Sequence, residues 1–340
     1  MASEGGVIVL LSCYNGARFV ADQIQSIRRQ TLVDWTLLVR DDGSEDRTPQ
    51  ILESLAANEP RIVLLNDGWG NLGPAQSFGV LMQAALDGGA EYVAFADQDD
   101  VWQPDKLECQ LGVLRARETA AGKAIPLLAH SDLTVVSEEL DLVHESLRTY
   151  QGLAEARGAP LQLLLTQNFV TGCTMLINRA LLRVALPLPN VVMHDWWLAL
   201  CAAAMGDILY LPCATVRYRQ HGRNVVGTRW WAGASAEAAR HPLEWWRRTH
   251  TAFLATLVQA RDLARRVERE SLTNPPRPDS LATIQEYCNA FSGGTSALQR
   301  LRTVRRHGVR PRSFLGFPLF FYARVALWQG DGLGRSQMAR

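Results

Sequence analysis

The first hundred residues alternate short β-rich runs with stretches of helical periodicity, and each β-rich run ends in a polar cluster. Val7–Leu11, Trp35–Val39, Arg61–Leu65 and Glu91–Ala96 read as strands. Phe19–Gln30, Asp46–Ala57 and Pro74–Leu86 read as helices, the second with Asp46 as its N-cap and Pro49 in its first turn. This order implies a mainly parallel sheet with helices on both faces. In such sheets, ligands bind beyond the carboxyl ends of the strands. The polar clusters Ser12–Asn15, Asp41–Ser44, Asn66–Gly73 and Asp97–Asp100 all fall at those ends.

The fourth cluster carries the most chemistry. Asp97, Asp99 and Asp100 crowd three carboxylates into four positions after the apolar run Tyr92–Ala96. Carboxylates this close repel one another unless something positive sits among them. A divalent ion is the natural partner, and carboxylate ligands suit Mg²⁺ or Mn²⁺. At the second cluster, Asp42 stands where a carboxylate can accept a hydrogen bond from a base N–H, while Ser44 and Asp46 read as turn and helix cap.

Beyond residue 100 the pattern loosens. Leu127–Val136 reads as a strand-pair region carrying His130, Ser131 and Asp132, Val170–Asn178 as a strand, and Asp195–Met205 as an apolar helix. Leu243–Glu270 and Ser280–Gln299 read as helices separated by the breaker Asn274-Pro275-Pro276-Arg277-Pro278. Charge divides the chain as well. Residues 226–340 hold 18 arginines and 8 acids, whereas residues 1–225 hold 17 bases and 26 acids. Two domains are therefore expected, an acidic α/β domain over 1–225 and a basic, mainly helical extension over 226–340. The six cysteines form no C-x-x-C pair, so buried reduced thiols are expected rather than zinc or disulfides. Neither a signal peptide nor an uninterrupted apolar stretch of about 20 residues is seen, which favours a cytoplasmic protein. The basic residues Arg300–Arg312 precede the aromatic-rich Ser313–Ala323, a pattern that suits peripheral contact of 300–328 with an anionic membrane face.

Three motifs in order then carry a resemblance: Ser12-Cys13-Tyr14-Asn15-Gly16, Asp41-Asp42-Gly43-Ser44, and Asp97-Gln98-Asp99-Asp100-Val101-Trp102 with Pro104. Over roughly residues 7–225 the chain resembles a family 2 glycosyltransferase, whose fold is GT-A, a nucleotide-sugar-binding α/β domain. The variant Asp-Gln-Asp-Asp-x-Trp, followed by His194-Asp195-Trp196-Trp197 and Tyr218-Arg219-Gln220-His221-Gly222-x-Asn224, is similar to bacterial rhamnosyltransferases of O-antigen and surface-polysaccharide assembly.

The resemblance implies specific roles. Ser12, Tyr14 and Asn15 would back the nucleoside, and Asp42 would read the pyrimidine. Asp97 and Asp99 would form the D-x-D element, with Asp99 on the metal and Asp97 nearer the ribose or an outer-shell water. Asp195 would be the catalytic base, although from position alone it reads equally well as a helix cap. His221 would make a late metal or diphosphate contact, in a basic loop with Arg217, Arg219 and Arg223 that could close over a diphosphate. His194, Asp132 and one of the adjacent Trp196 and Trp197 are candidates for donor-sugar or acceptor contacts, with Asn168, Thr171 and Gly172 a weaker acceptor-side guess. The expected activity is metal-dependent, inverting transfer of a sugar to a growing bacterial surface glycan. The favoured donor is dTDP-rhamnose, the acceptor a lipid-linked glycan, and no nucleic-acid partner is expected. One rival is a sugar nucleotidyltransferase, against which the loop Ser12–Arg18 counts because it lacks the Gly-rich, basic character such enzymes need. A second is a non-catalytic glycan-binding scaffold on a transferase fold.

Overall fold

The computed structural model describes residues 6–151, 160–222, 240–271, 276–292, 294–306, 322 and 325–328. They fall into two compact units, one made of 6–151 and 170–222 and the other of 160–169 and the described residues from 240 onward. The expected domain boundary near residue 225 lies outside the described residues, as does most of the 300–328 stretch.

The first unit is α/β. Its opening half is β1 (Val7–Cys13), α1 (Val20–Arg28), β2 (Trp35–Asp41), α2 (Thr48–Asn58), β3 (Ile62–Leu64), α3 (Gly73–Asp87) and β4 (Tyr92–Ala96). Then come β5 (Val101–Trp102), α4 (Lys106–Ala121), β6 (Leu127–Val136), β7 (Leu142–His144) and α5 (Leu147–Tyr150). The second unit contributes α6 (Pro160–Leu164), after which the first resumes with β8 (Met175–Asn178), α7 (Arg179–Ala185), α8 (His194–Met205) and β9 (Asp207–Arg219).

One sheet runs β3-β2-β1-β4-β8-β6-β9-β5, with β7 paired to β6 off this path. The pairs β1–β2, β1–β4, β2–β3 and β6–β9 are parallel, and the pairs made by β5, β7 and β8 are antiparallel. The central strands are unbroken apolar runs because helices cover both faces, as parallel sheets require. Val7, Val9, Leu10, Leu11, Val93, Ala94, Phe95 and Ala96 are fully buried.

Three expectations need correction. The stretch Val170–Asn178 is a strand only over Met175–Asn178, preceded by a 3-10 turn at Gly172–Thr174. Leu127–Val136 is one ten-residue strand rather than a strand pair, and its long partner is β9, which the sequence patterning did not reveal. The stretch Ser280–Gln299 is not one helix. In the second unit, α9 (Pro242–Glu270) is followed by α10 (Ser280–Ala290) and α11 (Ala297–Arg306), with a break that includes Gly294 at φ 93°. Phe253, Tyr287, Phe291 and Trp328 pack edge to face inside this unit. Among the described residues, no helix is long and apolar enough to cross a membrane.

Candidate active site

The carboxyl ends of β1, β2 and β4 lie side by side, so register brings three sequence clusters together. Asp42 N donates to Cys13 O at 2.7 Å. Gln98 clasps the β1 loop, donating from Nε2 to Tyr14 O and accepting from Tyr14 N. Asn15, at φ 50°, donates its N–H to Ser44 Oγ and accepts from Glu45 N. Ser44 holds the turn expected of it, whereas Asp46 is not the N-cap, which is Arg47, but sits one residue earlier and bonds the first helical residue. Ser44 donates to Asp41, and Asp46 accepts from Thr48 and Ala17 amides. Tyr14 is left 46% exposed at this edge.

Asp42 is buried and heavily bonded. Its Oδ1 accepts from Arg40 and from Leu72 N at 2.9 Å, and its Oδ2 accepts from Gly73 N at 2.9 Å. A carboxylate offers about four acceptor positions, and three of them are taken by these partners. No motif pointed to Arg40, a buried guanidinium that also pairs with Asp67 at 2.6 Å and donates to Ser77 Oγ at 3.0 Å. Ser77 in turn meets Ser12 Oγ at 2.7 Å. The available signal was a lone arginine ending an apolar strand, a position where a charge is costly unless it is paired.

Beyond β4 the acids divide into two groups. Asp97, Asp100 and the buried Cys173 bring ligand atoms within 4.8 Å of one another. Burial, aided by Asp99 and Asp195, pushes the Asp97 carboxyl up to about 7. Burial, with Asp99 and Asp97 close by, holds Asp100 well above the usual carboxylate range. The Oδ2 of Asp100 is buried without a hydrogen-bond partner. Asp99 turns the other way and meets His221 Nε2 at 2.7 Å, with the His221 ring stacked on Phe19 at 4.9 Å. Asp97, Asp100 with its unpartnered oxygen and Cys173 converge closely enough to suit a divalent cation, and Asp99 with His221 makes a separate pair of ligand types such an ion takes. Cys173 escaped the sequence reading because a single cysteine in an apolar run carries no spacing signal. Lys106 escaped it too. It is fully buried over the Trp102 ring, and burial pushes its ammonium down to about 7.

Asp195 is the second residue of α8, and its N-cap is Met193, so it is not the helix cap. Its Oδ2 accepts from Gly172 N at 3.0 Å and its Oδ1 lies 2.5 Å from Trp196 N. Burial pushes its carboxyl up to about 7 against these two donors. Gly172 adjoins Cys173, the cysteine grouped with Asp97 and Asp100, so its bond to Asp195 ties the start of α8 to the segment that carries the acid cluster's thiol. Gly172 lies in close approach to the start of α8. A Cβ there would stand 3.2 Å from His194 Nε2 and 3.6 Å from Asp195 Cβ.

Residues 8–182 match glycosyl transferase family 2, slightly more than half of the chain. The chain belongs to that family. The transferase is 28% identical over 234 residues to an uncharacterized glycosyltransferase, alr2836, of Nostoc sp., covering 64% of this chain and 66% of that one. It is 25% identical over 228 residues to the dTDP-rhamnosyl transferase RfbG of Shigella flexneri, covering 64% and 73%. Its fold is that of S. aureus TarS, with a TM-score of 0.52 at 14% identity over 86% of this chain and 56% of that one.

Several expected contacts of the transferase are placed elsewhere. Trp197 is core, fully buried with Nε1 donating to Ala185 O at 2.9 Å, which leaves the half-buried Trp196 as the sugar-facing candidate. His194 is also inside, stacked 4.0 Å from Phe78 and 5.4 Å from Phe95, and burial pushes it down to about 3. The Asp132 carboxylate is taken up by Ser146 Oγ and by the N–H groups of Leu133 and Arg148, a turn role. Arg219 is buried, and Arg217 is tied to Leu140 O, so neither is poised over a diphosphate; Arg223 lies outside the described residues.

Proposed function

We propose that this transferase moves a sugar from a pyrimidine nucleotide diphosphate donor to a glycan hydroxyl in one inverting displacement, with Asp195 as general base. The observation that carries the reading is the hydrogen bond from Gly172 N to Asp195 Oδ2 at 3.0 Å, which ties Asp195 to the residue next to Cys173, itself grouped with Asp97 and Asp100. Asp195 takes the acceptor hydroxyl proton. The freed oxygen attacks the anomeric carbon, the bond from that carbon to the diphosphate breaks, and the nucleoside diphosphate leaves. One base and no second nucleophile imply inversion, by analogy with inverting hydrolases. Asp99 and His221, with Asp97 alongside, are the residues that would hold Mn²⁺ or Mg²⁺. When bound, such an ion neutralises charge on the departing diphosphate. Ser12, Tyr14 and Asn15 form the nucleoside wall, and Asp42 supplies the acceptor for a base N–H. Likeness to RfbG favours dTDP-rhamnose as donor and bacterial surface-glycan assembly as the setting.

The test is calorimetric binding of dTDP-rhamnose, UDP-glucose, UDP-galactose and GDP-mannose, each with and without Mn²⁺ or Mg²⁺. Selective, metal-dependent binding of dTDP-rhamnose is expected. Tight binding of a UDP-sugar instead overturns the rhamnosyl reading alone. Binding of none of them favours a scaffold that has lost its donor site.

Gly172 gives a second test. Its N–H reaches Asp195 only because nothing stands between its Cα and the His194 ring. That ring is stacked on Phe78 at 4.0 Å and on Phe95 at 5.4 Å. Gly172→Ala, which asks for a shift of a few tenths of an ångström at His194, is therefore expected to disturb the neighbouring Asp195 and lower kcat by up to about 10-fold, less than an ångström-sized misplacement costs. Donor affinity, read by the same calorimetry, is expected to stay near wild type. Unchanged kcat would remove Gly172 from the positioning of Asp195.

A further inference from the structure

The β3–α3 loop is pinned to the protein interior at an unusual number of points, yet it holds a large aromatic ring out in solvent. Trp69 N donates to Asp67 Oδ1 at 2.9 Å. Asp67 Oδ2 accepts from Arg40 Nε at 2.6 Å, and Arg40 Nη2 donates to Trp69 O at 3.4 Å and to Gly70 O at 3.1 Å. Two residues on, Leu72 N and Gly73 N both donate to Asp42. The loop also lies directly on the turn after β2. Gly43, at φ 83°, lies so close that a Cβ there would stand 3.3 Å from Asn71 N. Despite these ties Trp69 is 66% exposed.

A slack loop can leave a tryptophan in water by default, but a loop fixed by a buried guanidinium and a buried carboxylate cannot. Its presentation is built in, and a preorganised aromatic binds with less ordering cost. We propose that Trp69 is the aromatic contact for the pyrimidine base of the donor, and that Arg40 is the positioning residue that sets both this ring and Asp42. The inference rests on the nucleotide-donor reading above. A base is favoured over an acceptor sugar because the loop is fastened to Asp42 and packed on Gly43, the turn assigned to the nucleoside, and carries no tie to Asp195. An indole face offers stacking area to a base, while Asp42 offers the directional hydrogen bond that orients it.

The experiment is calorimetric titration of UDP and dTDP, with Mn²⁺, into the full-length wild type, Trp69→Ala, Trp69→Phe and Arg40→Lys, with thermal melts as a check on folding. Trp69→Ala is expected to weaken nucleotide binding about tenfold, the usual loss for one base–aromatic contact, and Trp69→Phe to stay within about threefold of wild type. Arg40→Lys keeps the charge but loses the fork that spans Asp42, Asp67 and the loop carbonyls. It is expected to raise the donor KM by at least as much as Trp69→Ala, with kcat at saturating donor within about threefold of wild type, the pattern of lost ground-state binding. Because Trp69 is exposed, its variants test the idea even if Arg40→Lys melts early. Wild-type affinity in Trp69→Ala, or an effect confined to the acceptor KM, overturns the inference and leaves the donor reading standing. Failure of the wild type to bind either nucleotide overturns both.

Discussion

Asp195→Asn is expected to lower kcat by about 10²–10⁴, the usual worth of a general base, while nucleotide-sugar affinity stays within about twofold of wild type. The wild-type pH profile should agree with this. With its carboxyl pushed up to about 7, Asp195 is protonated at pH 5 and ionised at pH 8, so kcat/KM rises through neutrality along an acid limb near 7. The same group sets a stability trend. A carboxyl whose folded-state pKa is raised binds its proton more tightly in the folded protein. Its contribution is most favourable below the usual carboxylate range and is lost as pH rises towards 7. At pH 8 the cost of holding Asp195 ionised and buried is at most about 4 kcal/mol, from its rise to about 7. Asparagine carries no charge but has one acceptor oxygen for the two backbone N–H groups, of Gly172 and Trp196, that the carboxylate accepts. The melting temperature of the variant relative to wild type should therefore rise between pH 4 and pH 8, whatever the fixed cost of the lost bond. Equal loss of donor binding and turnover would take Asp195 out of the base role.

Asp99→Ala is expected to reduce turnover by about 10³-fold or more, since an ion acting on a leaving diphosphate is worth several kcal/mol of barrier. Calorimetry of the nucleoside diphosphate should lose its dependence on Mn²⁺ in the same variant. His221→Ala removes the partner that meets Asp99 at 2.7 Å and should cost less, about 10- to 100-fold in metal affinity. Retention of Mn²⁺-dependent binding by Asp99→Ala would move the ion to the cluster of Asp97, Asp100 and Cys173.

The half of the fold that positions the site was readable because period and punctuation agree there. The strands β1, β2 and β4 announce themselves as apolar runs, each stopped by polar residues with functional spacing. What stayed hidden has a common physical origin. Arg40 and Cys173 act through residues distant in sequence, Arg40 marked only by its charge at the end of an apolar strand, while Gly172 was picked out as an acceptor-side guess and not for its bond to Asp195. Strand β9 was missed because Asp207, Arg217 and Arg219 break its apolar pattern, each satisfied by partners that only the folded chain supplies. His194 looked like a site residue because it adjoins Asp195, yet consecutive helical positions face different ways and its ring enters the core. The Ser280–Gln299 periodicity survived on paper across a break marked only by a Ser-Gly-Gly step.

Arg219 has a consequence for how the site comes into being. Its N–H reaches Asp100 Oδ1, its guanidinium reaches Asp99 O and Asp22, and it also bonds Glu138 O. One residue at the close of β9 thus sutures α1, the β4–β5 turn and the β6–β7 connection. The family match ends at residue 182, before Asp195, Arg219 and His221 have been reached. A nascent chain that has just completed the recognisable motifs therefore holds acids with no seam to align them. Such long-range closures come late because loop entropy must be spent before they form. In this protein the acid cluster is braced by a residue at the end of β9, far downstream of the motifs that supply the acids.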